Sequence, residues 1–122
     1  MREREYFVIS VKHNQCSDRY VILWGANNSG YRGRVESAGR YPESLVKAKL
    51  GYYNTGDDIA VPCDVIESLA VPVDKGFFDT DGGNWVLSNR KNWQTILAHV
   101  IEPPAYKPQP EYRGARRRGS DS

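Results

Sequence analysis

The chain has 122 residues, 39% hydrophobic and 26% charged, with a formal net charge of +2. That composition fits one soluble domain, is too apolar for wholesale disorder, and contains no apolar run near the ~18 residues that span a bilayer. Cys16 and Cys63 lack metal-ligand spacing, so no zinc site is indicated and two reduced thiols in a cytoplasmic protein are expected.

Tyr6 to Val11 is β-branched and aromatic with Phe7, Ile9 and Val11 on one face, and Arg19 to Trp24 sets Tyr20, Ile22 and Trp24 against Val21 and Leu23. Both spacings predict strands. The polar link from His13 to Asp18 is short enough to close an antiparallel hairpin, and Asn27 to Gly30 marks a turn. A third strand is predicted over Tyr31 to Glu36, with Tyr31 and Val35 facing one way and Arg32, Arg34 and Glu36 the other.

Pro42 suits a first helical position, and Leu45, Val46 and Leu50 form an apolar stripe closed by Gly51. After the Asn54 to Asp57 turn, Ile59 to Val61 reads as a short strand ended by Pro62. Asp64 and Glu67 fit a capping box opening a helix that presents Val65, Ile66, Leu69 and Ala70 inward and stops at Val71-Pro72. Asp74 to Asn84 has turn composition, and Trp85 to Leu87 predicts one more strand. Ser88 or Asn89 caps the last helix, whose Trp93, Ile96, Leu97 and Val100 follow helical spacing as far as Pro103-Pro104.

Residues 103–122 change character. This proline-punctuated tail carries Lys107, Arg113, Arg116, Arg117 and Arg118 against Glu111 and Asp121, a balance of +3, which leaves −1 on the body, residues 1–102. Within the body, residues 1–53 carry +4 and residues 54–89 carry −6. Two binding faces follow. Arg32, Arg34 and Arg40 near Tyr31 and Tyr41, continued by Tyr112 and Arg116 to Arg118, combine phosphate contacts with rings for stacking, as single-strand nucleic-acid binders do. Asp57, Asp58, Asp79 and Asp81 suit a basic groove on a protein partner.

Catalysis is not expected. His13, Cys16 and Asp18 supply the residue types of a nucleophile, base and orienter, but a hairpin connection ordinarily uses such groups on turn amides and water. His99, beside Ala98 and Val100, reads as a helix-end side chain. Asp79-Thr80-Asp81-Gly82 opens like a calcium loop but lacks its remaining acidic ligands, and the glycines at 25, 30 and 33 lack a phosphate-loop context. No metal or cofactor is expected. Aromatic and arginine side chains also leave a nucleotide-sequestering protein open.

The segments SDRYVILW, AGRY, GYYN, IAVPCDVIESLA and NWQTILAHVIEPP, followed by YRGARR, together resemble a small uncharacterised protein family of proteobacterial phages, prophages and integrative elements. The resemblance spans nearly the whole chain and brings no catalytic residues with it. It implies a mobile-element setting, where small single-domain proteins often bind and disable host defence complexes, as anti-CRISPR and anti-restriction proteins do.

The expectation is a single α+β domain over residues 1–102, an antiparallel sheet of four or five strands packed with two or three helices, plus an extended basic tail over 103–122. The expected function is stoichiometric inhibition of a host protein or ribonucleoprotein complex, with no membrane involved. The alternative is a nucleic-acid-binding accessory protein using Arg32, Arg34, Arg40 and the tail, and an enzyme using His13 or Cys16 comes third.

Overall fold

The first predicted strand is the centre of the molecule. In the computed structural model, which describes residues 4–12, 20–28, 30–32, 34–72, 83–105 and 107–110, β1 (Glu5–Ser10) pairs antiparallel with β5 (Asp58–Pro62) from Tyr6↔Pro62 to Ser10↔Asp58. Along its other edge β1 meets β4 (Tyr41–Pro42) through Tyr6↔Tyr41 and then β2 (Leu23–Trp24) through Ile9↔Leu23. β3 (Tyr31–Arg32) pairs with β2 beyond it.

The two-residue period of β1 feeds two separate cores, because Tyr6 to Ser10 are all buried. Phe7, Ile9 and Val11 join Val21, Leu23, Ile59 and Val61 beneath α3 (Cys63–Leu69) and α4 (Arg90–Ala98), which contribute Ile66, Trp93 and Ile96. Tyr6 and Val8 join Tyr41 and Ala60 on the opposite face, beneath α1 (Glu43–Ala48) and α2 (Leu50–Tyr53), which contribute Val46 and Tyr53. The result is a single α+β domain in three layers, with helices on both faces of an antiparallel sheet. A second small sheet pairs β6 (Val71–Pro72) with β7 (Asn84–Trp85), tied to the first by the bridges Tyr20↔Leu87 and Arg34↔Trp85.

Several local expectations give way to tertiary partners. The Tyr31 strand ends after Arg32, and Val35–Ser37 forms a 3₁₀ turn, so Val35 is buried while Tyr31 is 49% exposed. Pro42 is not the first helical residue: it closes β4 and caps α1 with extended backbone (φ −68°, ψ 148°). Gly51 lies inside α2 rather than closing a helix.

No side-chain capping box forms at α3. Pro62 occupies the cap, while Asp64 and Glu67 turn to Arg4 and Arg40. Val71-Pro72 becomes β6 instead of a plain stop. Asn89 does cap α4, accepting from the Asn92 amide at 2.8 Å, yet the helix ends at Ala98, ahead of the prolines, and the Ile101 amide beyond it donates to the Ala60 carbonyl at 2.9 Å. None of the described helices is long and apolar enough to cross a membrane.

Candidate functional site

Where α2 crosses the end of β2, four aromatic rings meet. Trp24 faces Tyr52 edge-on at 5.6 Å between ring centroids and Tyr53 at 5.8 Å, and Tyr53 lies 5.4 Å from Tyr41 and 5.0 Å from Tyr52. Tilted and edge-to-face contacts at these separations are favourable for aromatic quadrupoles and hold the rings in place. Tyr41 and Tyr53 are buried, Trp24 is half-buried, and Tyr52 is 50% exposed. Tyr31 stands directly across from Trp24 in the β2–β3 pair, so its exposed ring shares the Trp24 face.

The chain around the rings is held tightly. The Tyr41 hydroxyl donates to the Gly25 carbonyl, the Gly25 amide to the Gly30 carbonyl at 2.8 Å, and the Gly39 amide to the Trp24 carbonyl at 2.9 Å. A Cβ on Gly39 would lie 2.6 Å from the Ala26 Cα, so only glycine permits this approach. Asn27 sits in the left-handed region (φ 55°, ψ 35°), which asparagine tolerates better than most residues. Between this loop and α1 lies a recess of about 280 Å³ lined by Asn27, Arg40, Tyr41, Pro42, Leu45 and Tyr53.

The arginines expected to contact phosphate have different surroundings. Arg32 is exposed and donates to the Tyr31 carbonyl at 2.9 Å. Arg34 lies across Gly83, whose φ of 89° and missing Cβ leave room for it, and reaches Glu36 at 3.9 Å. Arg40 bonds Glu5 at 3.0 Å and Glu67 at 2.9 Å and stacks over Phe7 at 5.4 Å, and the bonds to Glu67 and then Glu5 raise its pKa further. Arg40 also forms the wall between the recess and a second cleft of about 450 Å³, where Glu36, Glu67 and Asn84 face it. Burial opposes the charge of Glu36, but the hydrogen bonds from Asn84 outweigh it and hold the carboxyl below its ordinary value.

Asp57, in the turn, and Asp58, the first residue of β5, are half-buried, and both amides donate to the Thr55 hydroxyl. The Asp58 carboxylate accepts from the Trp24 indole at 3.3 Å, which places an acidic group at the edge of the aromatic surface. His99 Nδ1 donates to the Thr95 carbonyl at 2.8 Å at the exposed end of α4. Cys63 is a buried free thiol. Among the described residues no three His, Cys, Asp or Glu side chains converge as a metal site would require. His13, Cys16, Asp18, Asp79, Asp81, Tyr112, Arg116, Arg117 and Arg118 lie outside the described residues.

The chain matches no family model, no curated protein and no solved structure. Sequence reasoning had singled out Tyr31 and Tyr41 for stacking but passed over Trp24, Tyr52 and Tyr53. The adjacent tyrosines after Gly51 were the available signal, since one of two neighbours on a short helix turns outward when the other is buried.

Proposed function

We propose that this protein is a non-catalytic binding protein that acts by stoichiometric contact with a host protein or ribonucleoprotein complex, inhibiting it. The observation carrying this reading is the aromatic surface of Trp24, Tyr31 and Tyr52, in which Trp24 and Tyr52 hold each other edge-on and Tyr31 stands across from Trp24, with a recess beside it. Tyrosine, tryptophan and arginine dominate the energetics of protein interfaces, and rings already locked by their neighbours lose little freedom on binding. The proposed target class, a host defence complex, rests on the resemblance to mobile-element proteins.

The nucleic-acid alternative draws on Arg32 beside the exposed Tyr31. It is weakened by the carboxylates beside these arginines, since Arg40 already bonds Glu5 and Glu67 and Glu36 lies 3.9 Å from Arg34, so part of their charge is offset before any phosphate arrives. The Asp58 carboxylate at the aromatic edge also repels phosphate.

The test compares the wild-type chain with Tyr31→Ala and Tyr52→Ala in capture from a proteobacterial lysate, followed by titration of the recovered complex. Nanomolar to micromolar affinity, lost in both variants and only weakly dependent on salt, is expected. Salt-steep binding to free DNA or RNA with no protein recovered would overturn the proposal in favour of the alternative.

A further inference from the structure

We propose that the aromatic surface of Trp24, Tyr31 and Tyr52 takes an arginine side chain of the protein partner, its guanidinium stacked on the rings and paired with the Asp58 carboxylate. This rests on the reading of that surface as an interface and adds what the partner brings to it.

Alternation puts the four groups on one side of the sheet. Leu23, Ile59 and Val61 enter the core beneath α3 and α4, whereas Trp24 and Ala60 pack with Tyr41, Val46 and Tyr53 beneath α1 and α2. Asp58 is two residues from Ala60 on β5 and so shares its face, and Tyr31 shares the face of Trp24, its partner across β2 and β3. The 3.3 Å bond from the Trp24 indole to the Asp58 carboxylate and the 5.6 Å contact between Trp24 and Tyr52 join these groups directly.

Ring faces carry the negative lobes of the aromatic quadrupole, and a carboxylate held at their edge adds a full negative charge, so the surface favours a cation over a neutral or anionic group. The indole bond uses one of roughly four lone-pair sites on the carboxylate. A guanidinium is the cation that stacks flat on a ring and forms paired bonds to a carboxylate. The chain contains that combination on its other face, where Arg40 lies 5.4 Å over the Phe7 ring while bonding Glu5 and Glu67.

Among the described residues, the basic side chains near the surface do not supply this group. Arg32 stands across from Leu23, on the other side of β3 from Tyr31, and Lys47 bonds Glu43 at 3.4 Å. Lys12, whose amide donates to the Asp57 carbonyl, and Lys49, at the start of α2, are exposed ammonium groups that lack the planar fork.

The experiment is an NMR titration of the full chain with ethylguanidinium, ethylammonium and ethylurea, which keep one alkyl group and vary the head from planar cation to compact cation to planar neutral group. Ethylguanidinium is expected to shift the Trp24 indole N–H and the amides of residues 52 and 58 saturably, with the other two about two- to fivefold weaker. Asp58→Asn keeps an oxygen for the indole bond, so the melting curve should hold while the preference over ethylurea disappears. Tyr52→Leu, at an exposed position, should weaken ethylguanidinium several-fold without lowering the melting temperature. In the captured complex, Asp58→Asn should weaken affinity at least about tenfold.

Absence of a saturable shift at the Trp24 indole, equal affinity for ethylurea, or wild-type affinity of Asp58→Asn for the captured complex would overturn the inference. The two readings fail separately. Capture lost in Tyr31→Ala and Tyr52→Ala alongside no ethylguanidinium binding removes the inference and leaves the interface. Ethylguanidinium binding alongside unchanged capture in those two variants removes the interface, and with it the claim that a partner supplies the guanidinium.

Discussion

Asn54 lies against the outer edge of β5 with its side-chain oxygen 3.2 Å from the amide nitrogen of Ala60, standing in for a neighbouring strand. Its Nδ2 donates to the Glu102 carbonyl at 2.8 Å, and the Ile101 amide donates to the Ala60 carbonyl at 2.9 Å. One buried side chain and two residues after α4 therefore satisfy the middle of an edge that would otherwise offer unpaired groups to another chain. The body's last residues are thereby part of the fold.

Asn54→Ala should destabilise the protein by about 2–3 kcal/mol, because the buried Ala60 amide loses its acceptor and gains no water. Urea denaturation measures the loss. Hydrogen exchange should show the Ala60 amide losing protection more than its β1-paired neighbours Ile59 and Val61, and an unchanged Ala60 rate would contradict the strand-substitute role.

The glycines at 39 and 51 should respond oppositely to alanine. At Gly39 the new Cβ meets the Ala26 backbone, which cannot swing away, so a cost of about 1–3 kcal/mol is expected together with disturbance of the recess loop. At Gly51, inside α2, nothing lies within 4 Å, so Gly51→Ala should stabilise by up to about 1 kcal/mol through helix propensity. Thermal melts of the two variants compare them directly.

Trp93 is buried under the sheet and donates its indole N–H to the Ser88 hydroxyl at 2.9 Å. Trp93→Ala should cost about 3–5 kcal/mol, whereas Leu97→Ala, at a half-buried position on the same helix, should cost distinctly less. Equal losses in denaturation would mean that Leu97 carries more of the core than its exposure indicates.

Burial pushes the Cys63 thiol up from an ordinary 9.0 to about 12, with Arg40 only partly opposing the shift. A raised folded-state value makes the thiol's contribution to stability complete below pH ~9, and that contribution falls away as pH climbs toward ~12. The urea midpoint of the wild type should therefore drop more steeply over this range than that of Cys63→Ala, a comparison that removes the shared effect of tyrosine ionisation. In a Cys16→Ser background, Cys63 should stay unreactive toward a thiol reagent near neutral pH until the protein unfolds.

Periodicity identified what depends on near neighbours. Alternation in Tyr6 to Val11 carried the central strand, the i, i+3, i+4 spacing of Trp93, Ile96 and Leu97 carried α4, and the cap lay with Ser88 or Asn89, of which the fold uses Asn89. Those features follow from side chains placed on a regular backbone, which sequence order alone prescribes. The α+β class followed from the same patterns.

What only tertiary structure decided was which groups found distant partners. Asp64 and Glu67 had the spacing of a capping box, yet guanidinium groups 60 and 27 residues away claimed them. Arg34 and Arg40 carry no local signal of the acidic neighbours that the fold brings to them, Glu36 to the first and Glu5 and Glu67 to the second. The aromatic surface assembles Trp24, Tyr31 and Tyr52 from three separate elements, and Ala60 meets Asn54 only because a turn returns the chain to the edge of β5. Contacts of this kind depend on where the folded chain brings its segments together, and no local spacing encodes that.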